Sequence, residues 1–198
     1  MSKIHPSFYP FLTIALLITL VSSLSSCTKS PIIIMELPAG DLAWTNERPK
    51  GTKMCVPAAF TDKAGNIEGE YRLNGEIFYP NGKKKVSICK DIFYVDWKWH
   101  SDYGFHQWTL VYNNKAMEFR NPRKFVRRAL CKKGEHVFLV QSRHRMTVTD
   151  FAKECARVSS DAVYLDTGIY GYGHIGNKTL FPWAFCWRHR QTNWLYIK

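Results

Sequence analysis

His136-Val137-Phe138-Leu139-Val140-Gln141-Ser142-Arg143-His144-Arg145, followed by Thr147-Val148-Thr149-Asp150 and then by Asp161-Ala162-Val163-Tyr164-Leu165-Asp166-Thr167-Gly168, is the part of the chain on which the fold turns. Residues 136–141 and 162–165 are short apolar runs of the kind that form strands buried on both faces, and such strands tend to pair in parallel. Between them, residues 147–150 loosely resemble a capping box. Phe151, Ala152, Cys155 and Val158 fall on one helical face, with Lys153, Glu154 and Arg157 on the other. The reading is strand, crossover helix, strand. Arg143, His144 and Arg145 leave the first strand end, and Asp166 with a glycine-rich turn leaves the second. If the strands are neighbours, cations and carboxylate face one crevice at the carboxyl ends, where ligands of α/β layers bind. Cations beside a carboxylate suit an anionic substrate such as a phosphodiester. A solvated basic loop and a turn-capping aspartate would give the same residues with no ligand.

Outward from this unit the chain reads mainly as strands. Runs at 32–37, 54–60, 67–73, 76–79, 85–89, 93–97, 107–112 and 116–119 are rich in apolar and β-branched residues. Asn74-Gly75 is a strong hairpin signal, and Pro80-Asn81-Gly82 and Asn113-Asn114 are further turns. Residues 121–131 are ambiguous. Asn121-Pro122 opens a helix with Phe125, Val126, Ala129 and Leu130 on one face, while 127–131 also suits a short strand. Residues 38–52 look like the longest loop. The expected fold is a single α+β domain: a mixed, largely antiparallel sheet with one or two packed helices.

The first residues read as an address. Lys3 is followed by an apolar run at 11–24, too short to span a bilayer comfortably. It ends in Leu24-Ser25-Ser26-Cys27, which resembles the lipobox of bacterial lipoproteins, with Cys27 acylated as the mature amino terminus. An uncleaved membrane anchor is the alternative. The expected organisation is a signal peptide at 1–26, a lipid anchor with first strand and loop at 27–52, and the main domain at 53–198. This implies a bacterial cell envelope location, held to the membrane by lipid and facing the periplasm. The formal charge of +12 loses only Lys3 with the leader, leaving +11. Such a balance favours anionic partners. In an envelope lipoprotein, acidic glycans, sugar phosphates and lipid heads rank above nucleic acid, which is not expected as a partner.

Of six cysteines, five remain once Cys27 is acylated: Cys55, Cys89, Cys131, Cys155 and Cys186. Their apolar neighbours suit buried small hydrophobes better than a disulfide framework. No Cys/His cluster has metal-ligand spacing, so neither metal nor cofactor is expected.

The chain also resembles the phosphodiester glycosidase domain, shared by bacterial envelope and exopolysaccharide-associated proteins and by the lysosomal enzyme that uncovers mannose-6-phosphate. Four segments carry the likeness in the family's order. Met54-Cys55-Val56-Pro57-Ala58-Ala59-Phe60 is similar to its Asn-Gly-Gly-Phe-Phe strand, and Arg127-Arg128-Ala129-Leu130 to Arg-Thr-Ala-Ile. Val140-Gln141-Ser142-Arg143 is similar to Val-Asp-Gly-Arg, and residues 161–168 to Asp-Ala-Leu-Asn-Leu-Asp-Gly-Gly. Arg127, Arg143, Asp166 and Gly168 keep the family's residue types. Pro57-Ala58, Gln141 and Thr167 stand where the family has Asn-Gly, aspartate and glycine.

The resemblance implies hydrolysis of a sugar phosphodiester or related anionic glycan bond. Arg127 and Arg143 would clamp the phosphoryl oxygens as forked donors. Asp166 would position water or act as base, and His144 or His174 would protonate the leaving oxygen. Arg145, Thr167 and Gly168 would complete the binding surface. The alternative is a catalytically inactive glycan-binding module of the same fold, motivated by the replaced positions. The aromatic cluster Trp97, Trp99, His100, Tyr103, Phe105, His106 and Trp108 could then stack on sugar faces. A Cys/His peptidase built on Cys55 and His174 is a weaker third reading, because a nucleophilic thiol needs an exposed, electropositive setting.

Overall fold

The computed structural model describes residues 29–62, 64–79, 91–94, 102–167, 173–180 and 193–198, with backbone alone for 91–94. Pro31–Lys198 forms one compact unit. In chain order it begins with β1 (Ile32–Glu36), β2 (Leu42–Thr45), β3 (Met54–Pro57), β4 (Tyr71–Leu73) and β5 (Glu76–Phe78). β6 (Asp91–Tyr94), β7 (Gly104–Gln107), β8 (Thr109–Tyr112), β9 (Lys115–Ala116), β10 (Arg128–Lys133) and β11 (His136–Ser142) follow. Then come α1 (Val148–Ala156), β12 (Asp161–Leu165), β13 (Gly173–Ile175), β14 (Lys178–Leu180) and β15 (Trp194–Ile197).

The strands form three sheets: a six-stranded one ordered β1-β11-β10-β12-β8-β9, a five-stranded one ordered β14-β13-β3-β15-β2, and a four-stranded one ordered β5-β4-β7-β6. Every strand pairing among the described residues is antiparallel. Among the described residues strand accounts for 47% and helix for 7%, so the α+β expectation is overturned and the molecule is essentially all-β. Two local readings explain the difference. The helix that Asn121-Pro122 could have opened is absent, because Phe125 bridges Met146 and β10 follows directly. The strands on either side of α1 are also not neighbours. β10 lies between β11 and β12 and runs opposite to both, which leaves those two pointing the same way.

Alternation along the central strands builds two cores. Leu130, Leu139, Val163 and Leu165 turn toward Trp44, Met54, Val56, Leu195 and Ile197 of the five-stranded sheet. Ala129, Cys131, Val140, Ala162 and Tyr164 point the other way, onto Val148, Phe151, Ala152 and Cys155 of α1. A strand covered on both faces needs apolar residues at successive positions, which is why these runs lack a polar face. Thr147 caps α1: its hydroxyl oxygen accepts from the Asp150 amide at 3.1 Å and donates to the Asp150 carboxylate at 2.7 Å. The β4–β5 turn holds Asn74 at φ 52° and Gly75 at φ 80°, the left-handed pair that matches strand twist.

Candidate functional site

Register places Arg128 opposite Gln141 on one side and Leu165 on the other. The amino end of β10 therefore sits between the carboxyl ends of β11 and β12. Arg127 and Arg128, adjacent in sequence, take opposite faces of the sheet. Arg128 enters the space between the two larger sheets and is fully buried. Its Nε and Nη2 donate to Gln141 Oε1 at 3.3 and 3.0 Å. Burial pushes its pKa down to about 10, so the guanidinium keeps its charge at neutral pH. Gly173 lets β13 approach here. A Cβ at that position would lie 2.9 Å from Val56 Cγ1 and 3.3 Å from Arg128 Nη1.

Arg127 is buried on the α1 side, where neutral acceptors hold it. Nε donates to the Met146 carbonyl at 3.3 Å, Nη1 to the Tyr164 hydroxyl at 3.1 Å and Nη2 to the Arg123 carbonyl at 2.7 Å. Its Cζ lies 5.1 and 5.6 Å from the ring centroids of Phe125 and Tyr164. Burial raises the Tyr164 pKa, opposed by Arg127 and Thr167 and reinforced by Asp166, so the phenol stays protonated at neutral pH.

Asp166 follows β12 and is half-buried; its amide donates to the Ala58 carbonyl at 2.8 Å. That carbonyl also accepts from Gln107 Nε2 at 3.1 Å. Asn193 holds the next residue from both sides, with Oδ1 accepting from the Ala59 amide at 2.6 Å and Nδ2 donating to the Ala59 carbonyl at 3.1 Å. Thr167 is buried and donates to the Val126 carbonyl at 3.1 Å. Residues 58–60, 126–128, 141–142 and 166–167 thus converge on one edge of the six-stranded sheet.

The remaining candidates lie around or away from that edge. Arg143, His144 and Arg145 are exposed on the loop after β11, and the Arg143 amide donates to the Pro31 carbonyl at 2.8 Å. His174 pairs across from Cys55, and its Nε2 lies 2.9 Å from the Thr52 carbonyl oxygen and 3.2 Å from the Thr52 hydroxyl. Burial pushes the Cys55 thiol up to about 11, the reverse of what a nucleophile needs. Gly168 and the lipidation candidate Cys27 lie outside the described residues, as do Trp97, Trp99 and His100. Phe105 is core, while Trp108 packs on Phe60 and Phe119 at ring distances of 5.0 and 5.5 Å. Among the described residues there is no group of three His, Cys, Asp or Glu fit to hold a metal, and no helix long and apolar enough to cross a membrane.

Arg128, Gln107, Asn193 and Gly173 are the residues that sequence reasoning missed. For Arg128 a signal existed. Two adjacent arginines in a strand must take opposite faces, so one of them had to enter the core between the sheets. Gln107 and Asn193 act through contacts 49 and 134 residues distant in the chain, which no local pattern marks. Compared with protein-family models the chain matches none, and a search of curated proteins likewise finds no match.

Proposed function

We propose that this protein is a lipid-anchored envelope protein that binds an anionic glycan, a sugar phosphodiester or sugar phosphate, at the edge where β11 and β12 end. One observation carries the reading. Four segments distant in sequence, around Ala58, Arg128, Gln141 and Asp166, meet at that edge. Arg128, fully buried with its Nε and Nη2 on Gln141, supplies a fixed positive charge behind that edge. Arg143, exposed two residues beyond Gln141, supplies a cation at the rim.

Binding suits the geometry better than hydrolysis. Arg127 is engaged on the opposite face of the sheet, and His174 is engaged with Thr52. Hydrolysis with Asp166 as base is the second reading, favoured by that half-buried carboxylate at the same edge. Calorimetric titration of a synthetic glycosyl phosphodiester tests both. Binding is expected to weaken as salt rises and to fall roughly tenfold in Arg143→Ala, which removes the exposed cation at the rim. No sugar should be released. Binding indifferent to salt and to Arg143→Ala would overturn the reading. Sugar release that ceases in Asp166→Ala would instead select hydrolysis. The anchor has its own check, the mass of the mature amino terminus, which should carry acyl chains on Cys27 and lose them in Cys27→Ala.

A further inference from the structure

Beside the proposed glycan edge, and sharing only Arg143 with it, lies a second basic surface. The antiparallel bridge between Phe125 and Met146 rests on two bonds, Phe125 amide to Met146 carbonyl at 3.1 Å and Met146 amide to Phe125 carbonyl at 2.9 Å. It lays two basic segments side by side, Arg123-Lys124 and Arg143-His144-Arg145, all of them exposed. Residues 119–128 and 141–149 contain no aspartate or glutamate, so the field of these cations is not cancelled from within either segment. Phe125 stands among them. Its ring rests 5.1 Å from the buried Arg127 guanidinium, yet the residue is 41% exposed.

We infer that this face docks on an anionic lipid surface, with the cations on the headgroups and Phe125 entering the boundary between headgroups and acyl chains. Charge complementarity selects the partner class. The exposed aromatic selects among anionic partners, since a ring held among cations gains from the acyl boundary what a phosphate backbone alone does not offer. Placement fits as well. The loop bearing Arg143 bonds to Pro31, where the chain enters the body of the molecule. Resting on the lipid-anchored reading, the patch adds an electrostatic contact with the headgroups to the hold of the acyl chains on Cys27. The inference is separable from glycan binding, because Arg123, Lys124 and Arg145 can be reversed with Arg143 left in place.

Sedimentation of the full chain with phosphatidylcholine vesicles, with and without phosphatidylglycerol, tests it. The apolar run at 11–24 contributes to both vesicle types, so the ratio between them isolates the patch. The anionic vesicles are expected to bind more tightly, and salt to erase the difference. Arg123→Glu, Lys124→Glu and Arg145→Glu together should cut the ratio roughly a hundredfold. The same number of reversals at Lys115, Lys133 and Lys178, exposed elsewhere, should cost far less. Phe125→Ser, which leaves charge unchanged, should lower anionic-vesicle binding several-fold. Equal effects of the two reversal sets would overturn the proposal by reducing it to net charge. So would a vesicle ratio that survives the patch reversals while binding of short duplex DNA is lost, which would assign the face to nucleic acid. Glycosyl phosphodiester binding retained in the patch variant separates this surface from the glycan edge.

Discussion

Arg127 and Arg128 show how far one position can move a residue's chemistry. A strand sends successive side chains to opposite faces, so the first is held by carbonyls, a phenol and two rings beside α1, and the second is enclosed between sheets with Gln141. The resemblance assigns a phosphoryl clamp to the first, yet both guanidinium groups are engaged within the fold. Gln141, which replaces an aspartate in the resembling motif, accepts from Arg128 Nε and Nη2. Burial is the largest cause of the raised pKa at Cys55, which reaches about 11, and at Tyr164, whereas the hydrogen bond with Cys131 leads at Cys155. A raised pKa means that the folded form keeps its proton when the unfolded form has lost it. Stability from Cys55 is therefore complete below about pH 9 and drains away as pH rises through about 11. Urea midpoints measured across that interval should fall, and Cys55→Ala should flatten part of the slope. A midpoint constant from neutral pH to about 11 would show that the thiol is not enclosed as described.

At the scale of elements, local signals were read well and neighbours poorly. The Asn74-Gly75 and Asn113-Asn114 turns carry left-handed backbone, as two-residue hairpins demand. α1 lies where the Thr147 cap and its apolar face put it, with Phe151, Ala152 and Cys155 buried. What escaped was pairing. Nothing local in 128–133 says that this strand separates β11 from β12, because sheet order arises from contacts distant along the chain. β2 lies within the stretch 38–52 that reads as loop, because Leu42-Ala43-Trp44-Thr45 is short and flanked by turn residues, and its strand character comes from pairing with β15. The cap gives a direct test. Thr147→Ala removes the acceptor for the Asp150 amide and should cost about 1 kcal/mol, read as a lower unfolding midpoint with unchanged denaturant slope. No loss would mean that helix entry is held by tertiary packing alone.

Among the described residues, the two larger sheets face each other and α1 closes the outer face of the six-stranded one, where the ends of β11 and β12 gather the candidate site. Its integrity depends on the five-stranded sheet behind it, whose centre includes the strand farthest along the chain. β15 lies between β2 and β3, pairing Leu195 with both Trp44 and Val56. Deleting residues 194–198 should abolish cooperative thermal unfolding, because Trp44, Met54 and Val56 would lose their central partner; a truncated chain that still melts sharply would refute this sheet order. The same arrangement bears on how fast the domain folds. β2 and β3 have no strand between them until residues 194–197 reach them, so this sheet closes through contacts far apart in the chain and its assembly is a slow, late step of folding.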